Sequence, residues 1–425
     1  MKLKLALLTP LPPAASGIAL FSRRILPLLA KKFDITVFSE NIAVDIPNDS
    51  AFDILPLERF ELYPSKKDFD LVLYQIGSNK IHCGIYLSAL LRPGIAMLHE
   101  YVLHHLVKAC TIGVNDYEAY TAEFAKYYGA EGEEMARLVH TGRAATETMF
   151  FHYPFYGRIA ERSRALVTTT EYSKKIISAA YPSKKIYSSL ICGCIETSSA
   201  DRNSARKTLG IGDEFIIGIF GLISAAKKTD LVLDVFKRLQ SKYPGIRLLL
   251  AGGIDPYYDL DADIKARKIE NGIIRTGRLS DEDYVRWLAA ADVCINLRYP
   301  IGGESSSALI EMMDAGKTVI LPEAGQFLEI PEDCAVHIPL GRDSRDALEA
   351  VIEEFIANPE ELKTTGARAK AFAAERFSLE RSASALIKTL EEIAGSSLPE
   401  PAALSGEEKA RFERLRQHFL KQDKG

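Results

Sequence analysis

Short apolar runs alternate along most of this chain with longer stretches whose apolar positions recur every three or four residues. In the first half the runs 4–8, 34–38, 71–75, 94–98 and 165–168 have the length of buried strands. Between the first two lies 18–32, where Ala19, Ile25, Leu26, Leu28 and Leu29 share one helical face. The pattern then restarts. Strands are predicted over 215–220, 246–251, 273–276, 293–297 and 318–321, and helices over 230–242, 261–270, 280–291 and 305–315. Ser280 followed by Asp281-Glu282-Asp283 reads as a capped, acidic first turn. Strands separated by amphipathic helices pair in parallel through right-handed crossovers, so the expected class is α/β, with two Rossmann-like, doubly wound parallel-sheet domains.

The polar stretch 196–212, with Ser198-Ser199, Asp201 and Asn203-Ser204, separates the two halves. This sets a first domain at 1–197, a linker or hinge at 198–212 and a second domain at 213–394. After a helical region from Pro359 to 393, the segment 395–401 breaks the pattern and a charged helix over 405–422 closes the chain. Open α/β sheets bind ligands at the carboxyl ends of their strands, and two of them are expected to face a shared cleft. Dehydrogenases, solute-binding proteins and sugar-transfer enzymes all fit that plan.

Composition narrows the classes. The 425 residues carry a formal net charge of −4, with 47% hydrophobic and 26% charged residues. This excludes a disordered chain, a collagen-like repeat and a nucleic-acid binder held by bulk positive charge. Six cysteines are too sparse for a disulfide scaffold, and Cys192-Gly193-Cys194 is too tightly spaced for an ordinary disulfide or zinc pair. The apolar start ends at Thr9-Pro10, too soon for an export signal, and no stretch reaches the roughly 18 apolar residues of a membrane helix. A cytoplasmic location is expected.

The chemistry is concentrated in 296–316, where a strand runs through Gly302-Gly303-Glu304 into Ser305-Ser306-Ser307 and a helix. Backbone N–H groups at such a start suit a phosphate. Glu311 lies seven residues beyond Glu304 and returns to nearly the same helical face, placed to accept hydrogen bonds from vicinal hydroxyls. A solvated helix with serine caps fits the pattern equally. Lys227-Lys228, after a strand that ends in Gly221, opens the next helix and suits either a phosphate or a solvated face. His99 ends an apolar strand. Four of the eight histidines fall within 81–105, but their spacing lacks a metal-ligand pattern, so no metal is expected; core or capping roles suit His82, His104 and His105. The dinucleotide fingerprint is absent after the first strand, where Ser16-Gly17 stands.

The 296–316 segment resembles the signature of retaining, nucleotide-sugar-dependent glycosyltransferases of the GT-B fold: family 4, the group 1 glycosyltransferases, in a subgroup with a Gly-Glu-Ser-Ser loop. In the family a Glu, seven intervening residues and a second Glu precede a small-residue turn. Here Glu311 matches the second, while Gly303 occupies the first position and the acid stands at Glu304. The resemblance runs in order over about residues 1–390. It implies that Lys227 or Lys228 and Ser305, Ser306 and Ser307 meet the donor diphosphate, that Gly17 lets backbone approach it, and that Glu311 holds the ribose. It also implies that Arg275, Thr276 and Gly277 edge the base, and that His99 and Glu304 serve the transfer step. The usual Arg of the lysine loop reads Leu222.

The expected activity is transfer from a nucleoside diphosphate sugar to a glycan, lipid-linked or small-molecule acceptor, with retention and without metal or other cofactor. By the same resemblance, 395–425 packs back on the first domain. No nucleic-acid partner is expected. The basic pairs Arg23-Arg24, Lys31-Lys32, Lys174-Lys175 and Lys184-Lys185 fit a peripheral contact with the inner face of a membrane, and equally fit scattered solvated charges. A nucleotide-sugar epimerase and a non-catalytic nucleotide-sugar-binding relative share the fold and stand as alternatives. The sequence sets neither base, sugar, acceptor nor oligomeric state.

Overall fold

The computed structural model describes residues 2–40, 51–64, 68–144, 147–197 and 201–421. The chain divides into two compact units. The first comprises Met1–Ile191, Gly302–Ser305 and Leu379–Gly425, and the second comprises Cys192–Ile301 and Ser306–Ser378.

The first unit is built on strands β1 (Leu3–Leu8), β2 (Phe33–Ser39), β3 (Phe52–Pro56), β4 (Leu71–Ile76), β5 (Ile95–Leu98), β6 (Ala165–Thr168) and β7 (Ile186–Ser188). They form one sheet in the order β3-β2-β1-β4-β5-β6-β7, every pair parallel. The central strands are buried on both faces, which is why they read as continuous apolar runs. Helix Gly17–Leu29 follows β1, with Ser16 capping it by accepting from the Ile18 amide at 3.1 Å.

The second unit holds β8 (Ile216–Phe220), β9 (Arg247–Ala251), β10 (Ile273–Arg275), β11 (Val293–Ile295), β12 (Thr318–Pro322) and β13 (Val336–Ile338). They are again parallel, in the order β10-β9-β8-β11-β12-β13. The order reverses direction at β8 and β11, the switch point where open α/β sheets place their ligands.

Three strands have no counterpart in the predicted pattern: β3, β7 and β13. All are edge strands of mixed burial, so they lack the apolar run that marks an interior strand. The units also differ from the predicted boundaries. Residues 192–197 belong to the second unit, because the Thr197 hydroxyl donates to the Glu311 carbonyl at 2.7 Å and the Thr197 amide to Asp314 at 3.1 Å.

Within the predicted linker stands helix Arg202–Leu209, while 198–200 lie outside the described residues. Its Arg206 is buried and pairs with Asp292 at 2.6 Å and with the Ala290 carbonyl at 3.0 Å, so a polar sequence is held as part of the second unit. Helix Leu379–Ala394, predicted as part of the second domain, belongs to the first unit and packs on helix Gly17–Leu29. The last helix, Gly406–Lys421, packs on helix Cys83–Leu91 through Phe412 and Leu415. Its Glu408 meets Arg158, which also holds buried Glu123 at 2.7 Å. Among the described residues no helix is long and apolar enough to cross a membrane.

Candidate functional site

In the second unit, β8 is followed by Gly221, whose φ is +86°. A Cβ there would stand 3.0 Å from the Lys227 ammonium, so glycine is favoured by both backbone and space. Lys227 closes a 3₁₀ turn, Ala225–Lys227, and is 6% exposed; its ammonium donates to the Phe220 carbonyl. Burial, reinforced by nearby Arg298, lowers its pKa from the ordinary lysine value to about 7, while Glu311 acts in the opposite sense. The Tyr299 amide donates to the Ala226 carbonyl at 2.9 Å, which ties the segment after β11, and Arg298 with it, to the lysine turn.

Glu311 stands on helix Ser307–Asp314 and is 4% exposed. Its Oε1 accepts from the Cys194 amide at 2.8 Å and the Ile195 amide at 3.2 Å. A Cβ at Gly193 would lie 3.1 Å from Glu311 Cγ, so the Cys192-Gly193-Cys194 segment is a backbone seat for this carboxylate. All six cysteines are free and buried. Burial first, then the charge of Glu311, push the Tyr284 phenol well above its ordinary pKa. Lys227, Arg298, Glu311 and Tyr284 thus form one electrostatic cluster at the β8–β11 switch point.

Ser306 caps its own helix, accepting from the Leu309 amide at 3.3 Å and from Asn296 at 3.5 Å. Both contacts use oxygen lone pairs and leave the hydroxyl proton to donate. Ser307 is the first residue of the helix. Lys228 adopts a left-handed conformation (φ +54°) and lies 3.9 Å from Asp230. It lines a cavity of about 330 Å³ together with Leu231, Tyr299, Leu340, Ser344 and Arg345. Arg275 pairs with exposed Asp261, and Thr276 and Gly277 (φ +66°) form an exposed turn. None of the contacts of Arg275 involves Lys227, Arg298 or Glu311.

The first unit gathers a second group at the ends of β4, β5 and β6. His99, directly after β5, is 7% exposed and bonds through Nε2 to Gln75 Oε1. Burial, with His82 nearby, lowers its pKa to about 3, so the ring is neutral at physiological pH. His82 meets the Gln75 carbonyl at 3.0 Å and is held near pKa 4 by burial. His104 is a core residue bonded to the Tyr153 carbonyl at 2.6 Å and the Tyr120 hydroxyl at 2.7 Å. Gly17 begins the helix after β1, and Phe21 from that helix meets the His99 ring edge-on at 5.8 Å.

The loop Gly302–Ser305 is part of this group. The Tyr101 amide donates to the Gly302 carbonyl at 3.0 Å, and Thr170 and Ser173 donate to the Gly303 carbonyl at 2.9 and 2.8 Å. Ser305 donates to the Thr169 carbonyl at 2.9 Å, and the Thr169 hydroxyl to the His99 carbonyl at 3.2 Å. Gly303 has φ +73°, and a Cβ there would stand 2.1 Å from Ser173 Oγ and 2.6 Å from Tyr101 Cδ1. No side chain can occupy that position without moving the loop. A Cβ at Gly302 would be 3.0 Å from Glu304 and 3.8 Å from Glu100, so both carboxylates flank this glycine.

Sequence reasoning missed Arg298, Gln75, Glu100 and Tyr284. Arg298 lies within 296–316 and Gln75 ends the apolar run 71–75, so the available signal is position at a strand end.

The two doubly wound parallel-sheet units have the fold of solved GT-B glycosyltransferases. Residues 201–372 match the family model described as glycosyl transferases group 1. A search of curated protein sequences gives no match. Among solved structures, the chain is similar to sucrose-phosphate synthase from Thermosynechococcus elongatus, at 16% identity and TM-score 0.66, covering 93% of this chain and 100% of that one. It is similar to HepE of Anabaena in complex with UDP, at 14% identity and TM-score 0.64, covering 92% and 100%. It is also similar to WaaG, a glycosyltransferase involved in lipopolysaccharide biosynthesis, at 15% identity and TM-score 0.62, covering 92% and 100%. At these identities the likeness is one of fold.

Proposed function

We propose that the protein transfers a sugar from a nucleoside diphosphate sugar to an acceptor hydroxyl, with retention at the anomeric carbon and without a metal. The observation that carries this reading is the convergence of Lys227 and Arg298 beside Glu311 at the switch point of the second sheet. Lys227 is buried and Arg298 half-buried beside it; burial and the neighbouring guanidinium both disfavour the charged lysine, and a bound diphosphate favours it. In this reading Lys227 and Arg298 neutralise the leaving diphosphate, the donor hydroxyl of Ser306 and the start of its helix assist, and Lys228 stays at the rim. Fixed donors aimed at developing leaving-group charge supply several kcal/mol of barrier lowering. Glu311, anchored on Oε1 by two amides, receives the ribose hydroxyls.

We assign Glu304 to orientation of the donor sugar and His99 to recognition of a sugar or acceptor hydroxyl, which suits a neutral imidazole. Arg275, Thr276 and Gly277 are assigned to the edge of the base, and Gly17 to a close backbone approach. Structural relatives of the Anabaena HepE type are complexes with UDP and UDP-glucose, which makes uridine the first base to test. A glycan or lipid-linked acceptor is favoured by the basic pairs on the first unit, which suit a peripheral membrane contact. Of these, Lys184 donates to the Ser163 carbonyl at 2.8 Å and Lys174 pairs with Glu171 at 3.4 Å.

The test is a screen of UDP-, GDP- and ADP-sugars against glycan and lipid-linked acceptors, with released nucleotide as readout. Acceptor-dependent nucleotide release that is lost in Lys227→Met is the expected result. Binding of none of the three nucleoside diphosphates would end the proposal. Conversion of the donor without an acceptor would replace it with an epimerase.

A further inference from the structure

At the carboxyl end of β4, Gln75 is fully buried and serves two histidines. Its backbone carbonyl meets His82 Nδ1 at 3.0 Å, and its side-chain Oε1 meets His99 Nε2. Its own Nε2 amide has no hydrogen-bond partner. A buried donor without an acceptor costs about 1–3 kcal/mol, and a methionine of similar volume would fill the interior without that cost. The glutamine is therefore accounted for by what Oε1 does. His99 is fixed on its other sides as well: its amide donates to the Ile76 carbonyl at 3.0 Å, its carbonyl accepts from Thr169 at 3.2 Å, and Phe21 packs against its ring.

We propose that Gln75 is a positioning residue, which accepts a hydrogen bond from His99 Nε2–H and so holds the ring in the tautomer whose Nδ1 lone pair accepts from a substrate hydroxyl. A neutral imidazole carries one N–H, and fixing it on Nε2 makes Nδ1 an obligate acceptor. The low pKa of His99, set by burial and His82, keeps the ring neutral and the assignment single-valued. The consequence for transfer rests on the role given to His99 above; the tautomer itself does not.

The experiment combines long-range nitrogen NMR of the ¹⁵N-histidine-labelled full chain with steady-state kinetics. The eight histidines are few enough to assign His99 by its loss in His99→Asn. The wild type is expected to show His99 protonated on Nε2 near neutral pH. Gln75→Met is expected to mix or invert the tautomers and to lower kcat about 10- to 100-fold with donor KM within about twofold. Gln75→Glu, which keeps an acceptor at the same place, is expected to keep Nε2 protonated and carries the comparison if the methionine variant does not fold. A wild-type ring protonated on Nδ1, or an unchanged tautomer in Gln75→Met, overturns the proposal. So does a rise in KM with kcat unmoved. Absence of transfer by the wild type would sink the functional reading alone, and the tautomer would still decide the role of Gln75.

Discussion

The pKa of Lys227 gives the donor site a pH signature that can be worked through. With its pKa near 7, the ammonium is about half protonated at pH 7 and about one hundredth protonated at pH 9. A diphosphate binds the protonated form, so binding takes up a proton whenever the site begins neutral. Its terminal phosphate, with a second pKa of about 6, is itself nearly fully ionised over this range. The apparent Kd of a nucleoside diphosphate should therefore rise about 50-fold from pH 7 to pH 9, about 2.3 kcal/mol. Titration calorimetry at pH 8 in two buffers of different ionisation enthalpy should report uptake of about 0.9 proton. Lys227→Arg keeps a charge that does not titrate in this range, so its Kd should stay flat and its proton uptake fall to near zero. A wild-type Kd that is flat from pH 7 to pH 9, or a slope retained in Lys227→Arg, would refute the placement of Lys227 at the diphosphate.

Three further outcomes are expected. Arg298→Gln should weaken nucleoside diphosphate binding about tenfold or more while leaving nucleoside affinity within about twofold, since a charge-assisted contact is worth about 1.5–3 kcal/mol; equal losses for both ligands would place Arg298 elsewhere. The same variant should move the pH break of binding upward, because removing a neighbouring cation raises the Lys227 pKa. Glu311→Ala should weaken nucleotide binding, whereas His99→Ala should spare binding and suppress transfer. Calorimetry paired with turnover separates the two, and small equal effects would refute the division of roles.

The interior strands and the order of the elements were legible because each is buried on both faces or presents one apolar stripe. The edge strands β3, β7 and β13 were not, since half-buried positions carry no clear period. The predicted linker misled for a related reason. Helix Arg202–Leu209 is held by Arg206, buried against Asp292 and backbone carbonyls, and a buried arginine looks like a solvated one in sequence. Within the site, Glu311 and Lys227 were legible from motif and position. The amides of Cys194 and Ile195 that seat Glu311 come from more than 110 residues earlier and have no side-chain signature. Arg298 has no motif of its own in the sequence, since its tie to the lysine turn runs through the Tyr299 amide and the Ala226 carbonyl.

Packing and the proposed chemistry meet at Gly303-Glu304. Gly303 is required on two independent grounds: a left-handed φ of +73°, and a Cβ that would stand 2.1 Å from Ser173 Oγ. Its carbonyl takes hydrogen bonds from Thr170 and Ser173, so the loop cannot swing aside without breaking both. Gly303→Glu should therefore destabilise the protein, with about 1 kcal/mol or more from the backbone alone and more from the displaced hydroxyls. A conservative Gly303→Ala meets the same Cβ contact and should lower the melting temperature by several degrees as well. Glu304→Gln leaves the loop backbone untouched, so it should keep the fold and reduce transfer. The informative comparison is thermal melting beside turnover. A Gly303→Glu protein that melts like the wild type would show that the loop is not held as described.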